Sequence, residues 1–197
     1  MHFYPDANDL TRLRLTIASI FIKGGDGLEI APWENPLFVA GCNIRHVEIN
    51  PEHVTQPGQI LDNGEVLATV PAGSLDFIIA CHVLEHFENP IGAIRTHLGK
   101  LKPHGWLYYI LPDKNFKTCD QFRDTTPFEH MLEDYRNNKP PARSDPGHLH
   151  VWNDETAYEF FVEVNKLLGH PYRLVHFSVN PPNLENIIML EKVREAK

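Results

Sequence analysis

The chain has 197 residues, 42% of them hydrophobic and 22% charged, which is enough for one α/β domain and too little for two. Asp and Glu total 26 against 18 Lys and Arg, a net charge of −8; that sign argues against nucleic acid as a primary partner, because affinity for phosphate backbones comes from cationic side chains. No apolar stretch approaches the roughly 20 residues needed to cross a bilayer, and residues 1–10 lack the basic-then-apolar order of an export signal, so a soluble cytoplasmic protein without a membrane partner is expected.

Cys42, Cys81 and Cys119 are odd in number and form no CxxC pair, so reduced thiols are expected rather than a disulfide framework. The 16 prolines, about 8% where about 5% is usual, warn that some expected helices are missing. Residues 9–22 read as an opening amphipathic helix, with Leu10, Leu13, Ile17 and Ile20 on one face and Gly24-Gly25 as its stop. A short strand over 27–30 runs into a loop stiffened by Pro32 and Pro36. Further strands are predicted over 44–49, 59–61 and 75–80, the last a continuous apolar run of the kind buried on both faces of a parallel sheet.

Ile91, Ile94, Leu98 and Leu101 mark a helix over 90–101, ended by Lys102-Pro103-His104-Gly105 before a fifth strand over 106–111. A polar excursion follows over 114–152, with one helix from 126 or 127 to about 136, and an excursion of this length is usually a lid or binding element. Residues 154–168 form a helix capped at Asn153 or Asp154, and 172–179 and 184–193 alternate as a hairpin around Asn180-Pro181-Pro182-Asn183. The alternation of strand and helix predicts an α/β fold: one Rossmann-like, doubly wound, mostly parallel sheet over 1–197 with a C-terminal antiparallel hairpin. Ligands of such sheets bind at the carboxyl ends of the strands, here Glu29 to Trp33, Glu48 to Asn50, Asp62-Asn63, Cys81-His82 and Pro112-Asp113.

The run Leu75-Asp76-Phe77-Ile78-Ile79-Ala80-Cys81-His82-Val83-Leu84-Glu85-His86, followed by Leu98-Gly99-Lys100-Leu101-Lys102-Pro103-His104-Gly105-Trp106-Leu107, resembles class I S-adenosylmethionine-dependent methyltransferases, and most closely the small bacterial methyltransferase-domain proteins. His104 stands where that family usually has the first of two glycines. The resemblance implies S-adenosylmethionine as cofactor. Its first motif, an acid followed by alternate glycines, falls on Glu29, with Ala31 in place of the first glycine and Trp33 and Asn35 in place of later ones. Ala31 fits if its φ is negative, whereas Trp33 must point away from the cofactor. On the adenosine side the resemblance assigns Glu48 to the ribose hydroxyls and Asp62 or Asn63 to the adenine, with Cys81 and His82 beside the pocket.

Only 13 residues separate Ile30 from Ile44, and only nine lie over 50–58. A crossover that includes a helix needs about a dozen residues or more, so both early crossovers are expected to have truncated helices or none. Methyl transfer needs in-line approach and at most one base; the candidates are His82, Asp113, His148 and His150. His82 and His86 are four apart, but no acid stands in the general-base position of HExxH and no third ligand is evident, so no metal is expected. These features predict a methyltransferase acting on a hydroxyl or amine of a small molecule or a glycan. The alternative is a non-catalytic member with a degraded cofactor motif that serves as a partner or scaffold subunit. For the aromatic and charged excursion, the alternatives to a lid are a homodimer surface or a cover over the sheet.

Overall fold

An apolar run can lie at the centre of a sheet only if both of its faces are covered, and Leu75–Cys81 meets that condition. The structure, a computed structural model, describes residues 7–32, 36–115, 119–144, 146–180 and 185–196, with side chains from residue 12 onward. Helix α1 (Ala7–Phe21) is followed by β1 (Gly25–Ile30), β2 (Cys42–Glu48), β3 (Ile60–Leu61), β4 (Leu75–Cys81), α2 (Pro90–Lys100) and β5 (Leu101–Pro112). Then come α3 (Phe128–Arg136), α4 (Asp154–Leu167), β6 (Tyr172–Asn180) and β7 (Glu185–Lys192). The seven strands form one sheet in the order β3-β2-β1-β4-β5-β7-β6. The pairings among β1 to β5 are parallel, and β7 runs antiparallel to both β5 and β6. The Rossmann-like sheet with its antiparallel C-terminal strands therefore stands as the sequence predicts, although the hairpin turn over 181–184 lies outside the described residues.

The two-residue period of the strands divides the core. Phe77, Ile79, Tyr108, Ile110, Ile187 and Met189 face Ile17 and Ala18 of α1 together with Ile22, Leu37 and Val39. Their neighbours Ile78, Ala80, Leu107, Tyr109, Ile188 and Leu190 face α2 and α4. In α1 the buried stripe keeps only part of the expected one: Ile17 is buried as predicted, but Leu13 and Ile20 are exposed and Ala18 is buried instead. The helix is turned so that Arg14 rather than Leu13 comes in beside Ile17 and Ala18, and the ion pair that Arg14 makes gives the reason below.

Helix α2 keeps the predicted face and adds His97, which is fully buried. His97 Nε2 lies 2.7 Å from the Gly64 carbonyl and Nδ1 lies 2.7 Å from the Tyr109 hydroxyl. A carbonyl only accepts, so Nε2 carries the proton and Nδ1 accepts from Tyr109. Helix α4 opens with the predicted cap at Asn153, completed as a reciprocal capping box with Thr156. The expected turn over 102–105 is instead a bulge within β5: partners step from Leu75↔Leu101 directly to Phe77↔Trp106. His104 occupies the glycine position there with φ 62°.

Among the described residues no helix joins β1 to β2, and between β2 and β3 there is a single 3₁₀ turn, Pro51–His53. The face covered by α1 is thin for that reason. Glu29 compensates within the first crossover: buried on the α1 side, it accepts the Leu37 N–H on both carboxylate oxygens at 3.1 and 2.9 Å. Burial pushes its carboxyl up to about 8. Ala31 does not take the negative φ expected for it; at 48° it adopts the left-handed turn that glycine usually makes, and its N–H bonds the Val47 carbonyl. No described helix is long and apolar enough to cross a membrane.

Two outcomes follow. Ala31→Gly removes a left-handed alanine, and although glycine loses more chain entropy on folding, a net gain of about 0.5–1 kcal/mol is expected in urea unfolding; a loss of stability would contradict the backbone described. Burial holds His97 neutral, with its imidazole lowered to about 4, whereas in the unfolded chain it takes a proton near 6.5. The unfolded state thus binds more protons between those values, so stability should fall as pH drops from about 6.5 to 4, by about 3 kcal/mol from this residue. His97→Gln should flatten that limb of the pH–stability curve.

Candidate functional site

The carboxyl ends of β1 to β4 converge on one cavity of about 660 Å³, with Ile30, Ala31, Glu48, Asn63, His82 and Phe87 in its wall. That volume lies within the roughly 300–1,000 Å³ of small-molecule sites. The wall is mostly apolar, and the polar side chains enter at strand ends, where the chain turns away from the sheet. Glu48 ends β2 beside the 3₁₀ turn, with His53 Nδ1 3.9 Å from its carboxylate. Asn63 follows β3, accepts the Glu65 N–H on its side-chain oxygen, and donates its amide to the Ala142 carbonyl at 2.7 Å. This bond ties the polar excursion to the cavity, and Ala142, Arg143 and Ser144 complete the wall there.

Of the residues assigned to cofactor binding from sequence, Ala31, Glu48, Asn63 and His82 are brought together around this cavity. The side chains of Glu29, Asp62 and Cys81 lie elsewhere. Glu29 and Cys81 alternate with Ile30 and Ala80 and so point to the α1 face, where burial pushes the Cys81 thiol up. Asp62 builds its own loop by accepting the Thr69 N–H and hydroxyl, both at 2.7 Å. Burial raises its carboxyl, but these bonds outweigh that and hold it below the ordinary range. Trp33 lies outside the described residues.

The four candidate bases also separate. His82 follows β4 with φ 54°, and its Nε2 lies 3.1 Å from Glu185 Oε2. Glu185 is fully buried at the start of β7 and takes Arg14 Nη2 at 2.5 Å and Nε at 3.1 Å. Burial raises the Glu185 carboxyl, and the bonds from His82 and Arg14 more than reverse this, so it stays an anion. Asp113, also buried, accepts the Asn115 N–H at 2.9 Å. His148 Nδ1 lies 2.6 Å from Asp120. His150 donates Nε2–H to the Phe87 carbonyl at 2.9 Å, and burial lowers its imidazole to about 4. Of the four, His82 is the one in the cavity wall.

Sequence reasoning missed Arg14 and Glu185. A glutamate in a strand buried along its whole length, and an arginine three positions before a core isoleucine in a helix, are the signals that such a buried pair leaves in a sequence.

Comparison with known proteins places the chain in a family. A family model described as a methyltransferase domain matches residues 22–165, and no curated protein matches the chain. A S-adenosylmethionine-dependent methyltransferase from Methanosarcina mazei superposes with a TM-score of 0.59 at 14% identity, over 91% of this chain and 98% of that one. The N-methyltransferase NodS of Bradyrhizobium japonicum, solved with S-adenosyl-L-homocysteine, gives 0.55 at 13%, over 92% and 86%. The [4+2]-cyclase SpnF gives 0.61 at 12%, over 98% and 85%. At such identities the structures share the fold, and a cyclase among them marks the limit of that inference. The family model covers well over half of the sequence, and the chain belongs to the methyltransferase domain family.

Proposed function

We propose that the chain binds S-adenosylmethionine in the cavity at the ends of β1 to β4 and methylates a hydroxyl or amine of a small molecule or a glycan. The observation that carries this reading is Glu48, whose carboxylate stands in the cavity wall at the end of β2, where it suits the paired hydroxyls of a ribose. The residues present fit the rest of the cofactor. Ile30, Val47, Ile49 and Phe87 supply apolar walls for an adenine ring, and Asn63 stands beside them. Ala31 keeps the left-handed turn in spite of its Cβ, which favours a binding member of the family over a scaffold with a degraded motif.

The cofactor, when bound, supplies a methyl group on a sulfonium, and the chain's own residues must hold the acceptor in line and take its proton. His82 fits that last task. It lies in the cavity wall, and the buried Glu185 anion fixes its Nε2, as a carboxylate orients the imidazole of many bases. The excursion bonded to Asn63 supplies the cover that excludes water.

Calorimetric titration with S-adenosyl-L-homocysteine should give micromolar binding, and the absence of heat at millimolar ligand would overturn the reading. Glu48→Ala should weaken that binding at least tenfold, about 1.4 kcal/mol for a lost charge-assisted bond. An unchanged affinity would remove Glu48 from the site.

A further inference from the structure

A second cluster of side chains adjoins the cavity, and methyl transfer as described uses only His82 at its edge. Glu85 lies in the 3₁₀ turn Leu84–His86 and is fully buried. Around its Oε1 stand His86 Nε2 at 3.8 Å, His148 Nε2 at 3.9 Å and His82 Nδ1 at 3.8 Å. The rings of His86 and His148 meet edge to face with centroids 4.8 Å apart. One donor atom from each of Glu85, His86 and His148 lies within 4.8 Å of the other two.

These separations are too long for hydrogen bonds. They are slightly longer than those between ligands of one cation: with bonds of about 2.0–2.2 Å, neighbouring ligand atoms around a tetrahedral zinc stand about 3.3–3.5 Å apart. The two separations to Glu85 would have to contract by about half an ångström to close around an ion, and that between the two imidazoles, which lies within 4.8 Å, by no more than about 1.4 Å.

An independent observation lies behind His148. Its Nδ1 is held by Asp120 Oδ2 at 2.6 Å, and Asp120, itself buried, accepts Arg123 Nη1 at 2.7 Å. Arg123 also donates to the His148 carbonyl at 2.9 Å. With the Asp120 carboxylate ionised beside Arg123, Nδ1 carries the proton, which leaves the Nε2 lone pair turned toward Glu85 and His86. A carboxylate on the far nitrogen is the usual support of a metal-binding imidazole, fixing both its tautomer and its orientation.

We propose that Glu85, His86 and His148 hold a divalent zinc-type metal ion. Two imidazoles and one carboxylate are the donor set of open zinc sites, in which a further position is left for an exchangeable ligand. His86 also lines the cavity, so that position is on the cavity side, where the ion would bind an acceptor oxygen and make its proton easier to lose. This last role rests on the methyl-transfer reading, whereas the affinity for metal does not. A competing set, Cys119, Asp120 and His148, is the weaker one, because it needs the His148 nitrogen that already bonds Asp120.

The test uses the full chain without an affinity tag, stripped with a chelator and studied without cofactor. Cobalt(II) is titrated by its visible ligand-field bands, and zinc by competition with a chromophoric chelator. One equivalent per chain is expected. His86→Ala and His148→Ala should each weaken binding at least tenfold, Asp120→Asn should weaken it about 10- to 100-fold, and Cys119→Ser and His130→Ala should leave it unchanged. If one imidazole variant fails to fold, the other decides together with Asp120→Asn. Substoichiometric binding, unchanged affinity in the imidazole variants, or loss of affinity in Cys119→Ser would each overturn the proposal. Since cofactor is absent throughout, a failure of S-adenosyl-L-homocysteine to bind leaves this result untouched, and the reverse also holds.

Discussion

The chain reverses at the end of β4, and the elements that lie over the strand ends take their places from that turn. His82 takes φ 54° while its N–H bonds the Ile110 carbonyl of β5. The central strand therefore ends there, and the chain is thrown sideways across the top of the sheet. The short turn that follows has buried residues at Leu84 and Glu85 and leads to Asn89, which caps α2 by accepting the Gly92 N–H. The Glu85 carbonyl in turn accepts the N–H groups of Leu149 and His150 at 2.8 and 3.1 Å. One reversal thus sets the cavity wall, starts α2 and pins the returning limb of the excursion, which explains why His82, His86 and His148 gather around Glu85.

The opposite constraint is scarcity of cover on the α1 face. Strands whose crossovers lack helices must find other partners for their backbone and side chains. Here a glutamate grips a loop amide, and Leu37 and Val39 fill the space left beside α1. Glu29 is placed by the same alternation that puts its neighbours Leu28 and Ile30 into the other cluster. An acid that resemblance assigns to ligand binding therefore serves, in this fold, to hold a shortened connection in place.

What was legible in the sequence follows from the range of the forces involved. Strand positions, the α2 face and the α4 cap are written in periodicity and in neighbours three or four apart, and these local signals hold in the structure. The α1 stripe is misread because Arg14 is drawn inward by an anion far along the chain. The bulge after α2 is hidden because Lys102-Pro103-His104-Gly105 has turn chemistry, although the strand resumes pairing across it. At the candidate site, strand-end positions pointed to Glu48, Asn63 and His82. No local pattern could bring His148 beside His86, since that contact is made by tertiary structure 62 positions apart.

The Arg14–Glu185 pair links residues 171 positions apart. Contacts of such separation form late, because the loop they close is entropically costly until most of the sheet is in place. During synthesis the helix carrying Arg14 emerges long before the strand carrying Glu185. The imidazole of His82 therefore gains its fixed orientation only once β7 has been made and docked, so that a chain arrested before residue 185 would carry most of the cavity wall with its histidine unanchored.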